Sequence, residues 1–149
     1  MRAGIASEVL DAILAAAAAD PHREVCGLLF GSRERIVAAA AAANVAAAPH
    51  DSFEIDPGAL FAALRAERAG GPRMIGHYHS HPTGRPEPSP RDAAAAEPGR
   101  LWLIVGDGAA RLWWSQPAGR FAPVALEIGG TSVASAAPSG HKDAILTRP

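Results

Sequence analysis

Gly76-His77-Tyr78-His79-Ser80-His81-Pro82, continued by Thr83-Gly84-Arg85-Pro86-Glu87-Pro88 and then by Ser89-Pro90-Arg91-Asp92, is the stretch on which the reading of this chain turns. Three of the chain's six histidines alternate here with Tyr78 and Ser80. In an extended strand the side-chain period is two, so all three imidazoles project from one face. Neutral imidazoles beside an apolar core each need a hydrogen-bond partner, and a metal ion meets that need. The competing reading is the polar outer face of an edge strand. Met74 to Ser80 is therefore predicted as a histidine-bearing strand. The loop after it, with Pro82, Gly84, Pro86 and Pro88, can be neither strand nor helix.

Ser89-Pro90-Arg91-Asp92 reads as a helix start, with serine as N-cap, proline at the first helical position and an acid in capping-box spacing. A short alanine-rich helix follows, closed by Pro98-Gly99. A catalytic zinc site takes three protein ligands from His, Asp and Glu and keeps a fourth position for water. Two histidines at i and i+2 can share one ion. Asp92 is the nearest carboxylate that a fixed element presents, with Glu87 of the loop as its competitor. Any two of His77, His79 and His81 could form the pair, and spacing alone does not choose between them.

Outward from this stretch, Val9, Ile13 and Leu14 predict a helix over residues 7–19, stopped by Asp20-Pro21. Val25-Cys26-Gly27-Leu28-Leu29-Phe30-Gly31 suits a strand buried on both faces. Arg35 to Ala48 begins like a strand, yet six consecutive alanines at 38–43 are the best intrinsic helix formers; it is assigned as a strand paired with the one before it. Phe53-Glu54-Ile55 makes a brief strand. Asp56-Pro57 opens a second helix with Leu60, Phe61 and Leu64 on its core stripe, ended by Gly70-Gly71-Pro72. Leu101 to Val105 is another apolar strand, turned by Gly106-Asp107-Gly108 into a strand over 109–115, and 121–128 is the last. Helices against a central sheet make this a mixed α+β domain over residues 1–128, with 129–149 expected as a poorly ordered tail.

Composition removes several functions. A net charge of −1 leaves no basic footprint for nucleic acid and no polybasic membrane patch. A single cysteine, Cys26, excludes an intramolecular disulfide and a Cys-rich zinc cage, and it fits a reducing compartment. It also excludes a zinc nucleoside deaminase, which needs a Cys-x-x-Cys pair. The N-terminus lacks the apolar run of a signal peptide, so a cytoplasmic protein is expected. Cys26 is expected as a small buried side chain, His22, His50 and His141 at the surface, and Trp102, Trp113 and Trp114 in sheet packing.

His79-Ser80-His81-Pro82, the seven residues from Pro82 to Pro88, Ser89, two residues and Asp92 resemble the signature of the JAMM (MPN-domain) zinc metalloproteases. Glu24-Val25-Cys26-Gly27-Leu28-Leu29-Phe30-Gly31 is similar to the glutamate-bearing first strand of the compact bacterial members. The resemblance implies an MPN architecture, akin to cytidine deaminases, with a mostly antiparallel sheet and about three helices. It implies one Zn²⁺ per chain held by His79, His81 and Asp92, with His77 left outside the pattern. Glu24 becomes the general base and Ser89 the donor to the oxyanion. The activity implied is hydrolysis of the amide bond after the Gly-Gly tail of a ubiquitin-like sulfur-carrier protein. A strand edge beside the histidines could pair with that tail. The alternative is a non-catalytic scaffold binding a ubiquitin-like partner, but such scaffolds generally lack a metal ligand and none is missing here.

Overall fold

The computed structural model describes residues 1–130. The expected disorder of the tail from 131 onward lies outside the described residues. In chain order the elements are β1 (Arg2–Ile5), α1 (Ser7–Ala19), β2 (Cys26–Ser32), β3 (Arg35–Ala42), α2 (Pro57–Arg68), β4 (Met74–Ser80), α3 (Pro90–Ala95), β5 (Leu101–Gly106), β6 (Ala109–Gln116), a 3₁₀ turn at Pro117–Gly119 and β7 (Arg120–Ile128). The seven strands run β1-β3-β2-β4-β5-β6-β7 and close into a barrel. Four pairings are antiparallel; β1 with β3, β1 with β7 and β4 with β5 are parallel.

Closure alters one expectation. β4 is hydrogen-bonded on both sides, to β2 and to β5, so the strands beside the histidines have no free edge for a substrate to join. Closure depends on β1, a strand that the sequence reading does not contain. Its four residues have too little length to declare a period, and they become a strand because β3 and β7 both pair with them. Phe53 to Ile55 contributes less than expected, only an isolated bridge from Ile55 to Asn44.

Two apolar clusters use opposite faces of the sheet. Ile5, Ile13, Leu29, Ile36, Tyr78 and Leu103 belong to the larger one, which α1 covers through Val9, Leu10 and Ile13. Leu28, Phe30, Ala38 and Met74 form the smaller one, beneath Leu60, Ala63 and Leu64 of α2. Leu28 and Leu29 thus serve different cores, as a strand buried on both faces requires. In β4 an extra residue, Ile75, opposes the Leu29–Phe30 step. This bulge resets the parity, so that Ile75 and Tyr78 join the larger core while His77 and His79 pair across from Leu28 and Cys26 on the other face. The Tyr78 ring fills the space that a Cβ at residue 27 would need, which makes Gly27 obligatory.

Candidate metal centre

β4 delivers His79 at its penultimate position and His81 just beyond its end. His81 is fixed there by its backbone N–H, which donates to the Val105 carbonyl at 2.7 Å. Asp92 arrives from α3, whose N-terminus is the expected capping box. The Ser89 hydroxyl accepts from the Asp92 N–H at 3.0 Å, and Asp92 Oδ2 accepts from the Ser89 N–H at 2.9 Å. The three side chains converge: Nε2 of His79 lies 3.0 Å from Nε2 of His81, and Asp92 Oδ2 lies 3.2 Å from each. Donor atoms around a tetrahedral zinc, at ~2.0–2.1 Å from the metal, sit about 3.3 Å apart. The triangle fits such an ion.

The chemistry of the donors agrees with the geometry. His81 Nδ1 donates to the Arg85 carbonyl at 2.8 Å, so a neutral His81 presents a bare lone pair at Nε2. A bare nitrogen and a carboxylate oxygen at 3.2 Å repel unless a cation lies between them. A proton can serve in its place. Burial opposes protonation of His81, but Asp92 and the Arg85 carbonyl prevail and raise its pKa, whereas burial lowers that of His79. Burial also works to raise the Asp92 carboxyl, yet the hydrogen bonds to both histidines hold it well below the usual carboxylate range.

Glu24 stands beside this triangle. It lies two residues ahead of β2 and not within a strand, and β2 is the second strand of the chain, so the expectation of a glutamate-bearing first strand is corrected on both counts. Its placement follows from register. Cys26 pairs with His79, the Ser80 N–H donates to the Val25 carbonyl at 3.0 Å, and the next step outward sets Glu24 opposite His81. The Ser80 hydroxyl reinforces the step by accepting from the Val25 N–H at 2.9 Å. Ligand atoms of Glu24, His79 and His81 all lie within 4.8 Å of one another. Glu24 is buried, 5% exposed, and its Oε1 has no hydrogen-bond partner in the protein. Burial pushes its carboxyl from 4.5 up to about 7, with His81 pulling the other way. A buried carboxyl oxygen without a hydrogen-bond partner costs stability.

His77, the first of the alternating histidines, makes no contact with the donor atoms of the triangle. Its ring packs edge-on to Trp102 at 4.3 Å, and burial lowers its pKa to about 3. Two further residues support the site and carried no signal in the sequence reading. Phe53 stacks on the His79 ring, 4.2 Å between centroids, and so fixes the plane of the buried imidazole. The Asn44 amide donates to the carbonyls of Glu24 and Ser52 at 2.8 and 2.9 Å, while its oxygen accepts from the Ala46 and Glu54 N–H groups. This one side chain binds the 45–54 loop to Glu24. Cys26 is buried as expected, and burial pushes its thiol up to about 12.

Two open grooves border the site. One, of about 340 Å³, is walled by Ala16 and Ala19 of α1 and by Ala41 and Ala42 of β3, and Glu24 is among its lining residues. The other, of about 430 Å³, lies between α1 and the β5–β6 turn and reaches His81.

Residues 6–116 match the family of prokaryotic homologs of the JAB domain. The chain belongs to that family. Among JAB relatives, the Haloferax volcanii desampylase is 39% identical over 69% of this chain and 79% of its own length. A Thermus thermophilus protein named "Probable TtuB-protein conjugate cleaving protease" is 36% identical over 60% of each chain. The crystal structure of a JAB1/MPN domain protein from Archaeoglobus fulgidus superimposes with a TM-score of 0.53 at 23% identity, covering 85% of this chain and 97% of that one. That likeness establishes the JAB/MPN fold: three helices with a mixed seven-stranded sheet. Among the described residues, no helix is long and apolar enough to cross a membrane.

Proposed function

We propose that this chain is a zinc peptidase or isopeptidase that hydrolyses the amide bond following the Gly-Gly tail of a ubiquitin-like sulfur-carrier protein. The observation that carries the reading is the triangle of His79, His81 and Asp92 donor atoms, 3.0–3.2 Å apart, with the unpartnered Glu24 carboxylate at its rim. The names of the Haloferax and Thermus relatives support the substrate class. His79, His81 and Asp92 hold one Zn²⁺ per chain. Zinc bound there supplies a Lewis acid and a water that ionises near neutral pH. Glu24 takes the proton of the attacking water and returns it to the leaving amine, a role suited to a carboxyl near 7 that lies beside the metal ligands. The alanine-walled groove that Glu24 helps to line receives the tail, whose two glycines let the backbone pass close to the protein. A reducing cytoplasm suits the single buried thiol of Cys26.

Ser89 can both cap α3 and assist catalysis. Its oxygen accepts the Asp92 N–H, which leaves the hydroxyl proton free to donate to the oxyanion. Ser89→Ala is expected to lower kcat by about 10²–10³-fold, the usual effect of losing one oxyanion donor. It should cost only ~1 kcal/mol of stability through the lost cap. A kcat within a few-fold of wild type would confine Ser89 to capping.

The reading is tested by dialysing the protein against a strong chelator and following hydrolysis of a carrier-protein conjugate. Activity is expected to vanish with the metal and to return with one equivalent of Zn²⁺. Undiminished turnover by metal-free protein would end the metallopeptidase reading.

A further inference from the structure

We propose that Trp113, braced by Arg111, is a positioning residue for His81, although neither side chain enters the metal triangle. The inference rests on the reading of His81 as a metal ligand. His79 needs little guidance, being fully buried with its ring stacked on Phe53. His81 differs. It lies beyond the end of β4, and its ring is oriented by the bond from Nδ1 to the Arg85 carbonyl at 2.8 Å. That bond also fixes the tautomer that leaves Nε2 available to a metal. With Nε2 facing His79 and Asp92, the hold on the Nδ1 side of His81 is only as firm as the loop that carries Arg85.

That loop has few means of holding itself. Pro82, Pro86 and Pro88 have no N–H to donate, and its internal backbone bonds are from Gly84 N–H to the His81 carbonyl at 3.3 Å and from Glu87 N–H to the Arg85 carbonyl at 2.8 Å. β6 supplies the rest. The Trp113 indole N–H donates to the Pro86 carbonyl at 3.0 Å. Arg111 lies over the Trp113 ring, 4.8 Å from its centroid, and reaches Glu87 Oε2 at 3.4 Å. From below, the loop rests directly on Gly106, where a Cβ would come within 2.6 Å of the Gly84 oxygen and the Arg85 carbonyl carbon. Consecutive carbonyls, those of Arg85 and Pro86, are thus engaged by His81 and by Trp113. Each peptide unit is rigid and shares a Cα with the next, so releasing the second carbonyl frees the first to turn.

Trp113→Phe leaves an aromatic face for Arg111 but removes the indole N–H. Two measurements read the result. In metal-free protein held at a pH above the raised His81 pKa, where the imidazole is neutral, the long-range proton–nitrogen NMR spectrum is expected to show His81 protonated at Nδ1 in wild type and as a mixture of tautomers in the variant. Competition against a chromophoric chelator is expected to show zinc bound about 5–10-fold more weakly, at or below the low end of the ~10–100-fold cost of losing a direct outer-sphere partner. At saturating zinc kcat should stay within about twofold. Gly106→Ala, whose Cβ would displace the same loop at Gly84 and Arg85, should shift both readouts in the same direction. An unchanged His81 tautomer with zinc affinity within about twofold of wild type would overturn the proposal. So would a lower thermal midpoint with the tautomer unaltered, because Trp113 would then be structural only. The tautomer is read without metal or substrate, so a wild-type protein that bound no zinc would refute the metallopeptidase reading while leaving the clamp to be judged separately.

Discussion

Glu24→Gln is expected to lower kcat by about 10²–10⁴-fold, the range for loss of a positioned general acid–base, while zinc stays bound at one equivalent. The amide occupies the same volume and cannot take a proton from water. The donor atoms of His79, His81 and Asp92, the proposed ligands, converge without it, so the metal should remain. The same substitution should stabilise the metal-free protein. In the folded chain burial raises the Glu24 carboxyl from 4.5 to about 7, so the native state holds its proton more tightly than the unfolded state does. The stability this confers is fully present below about pH 4.5 and is lost as pH rises through about 7. Each pKa unit is worth ~1.4 kcal/mol, so wild type carries a penalty of about 3 kcal/mol at pH 8 that the amide does not incur. Chemical denaturation of the two metal-free proteins across this range should give curves that converge in acid and separate toward alkali. A variant with lost turnover, lost zinc and no gain at pH 8 would make Glu24 a ligand and not the base. An activity cost paired with a stability gain is the mark of a residue kept strained for its chemistry.

What could be read from the residues depended on how far away the determining partner lies. The capping box at Ser89 and Asp92, the helix over 7–19 and the strand over 74–80 are set by neighbours a few positions away, and they appear where the local pattern puts them. The alanine run at 38–43 shows local preference being overruled. Its strand form comes from antiparallel pairing with β2 along Cys26 to Ser32, in which Ala38 and Ala39 are almost wholly buried. Barrel closure was not legible, because β1 owes its existence to partners more than thirty residues away. Within the site, two of the three alternating histidines were picked out by resemblance and not by spacing. The physical reason lies elsewhere in the chain: Trp102 packs against the His77 ring, while α3 brings Asp92 to the other two. Nothing in the sequence pattern tied Asn44 or Phe53 to the site, since each acts on a residue brought near only by the fold.

Asp92→Asn is expected to weaken zinc binding by more than the ~10–100-fold that an outer-sphere change costs, and to abolish hydrolysis at limiting zinc. The substitution separates two functions that one oxygen performs. Asp92 Oδ2 caps the Ser89 N–H and also meets both histidine nitrogens. The amide oxygen of asparagine can still accept the cap bond, so α3 should form, and circular dichroism of the metal-free variant should match wild type. The lost element is the negative charge. Two imidazoles and a carboxylate leave a bound Zn²⁺ with a net charge near +1, whereas two imidazoles and an amide leave it near +2 and more weakly held. Stability should respond to pH as well. The Asp92 carboxyl is depressed in the fold, so it contributes stability above its unfolded pKa of 3.8 that is lost as pH falls through its folded value; the variant should lack this loss in acid. Asp92→Ala removes cap and charge together and should add a further ~1 kcal/mol of destabilisation without a much larger effect on zinc. If Asp92→Asn instead bound zinc as tightly as wild type, Asp92 would be a helix cap only, and among the described residues the third ligand would be Glu24, whose carboxylate oxygen lies within 4.8 Å of the histidine donor atoms.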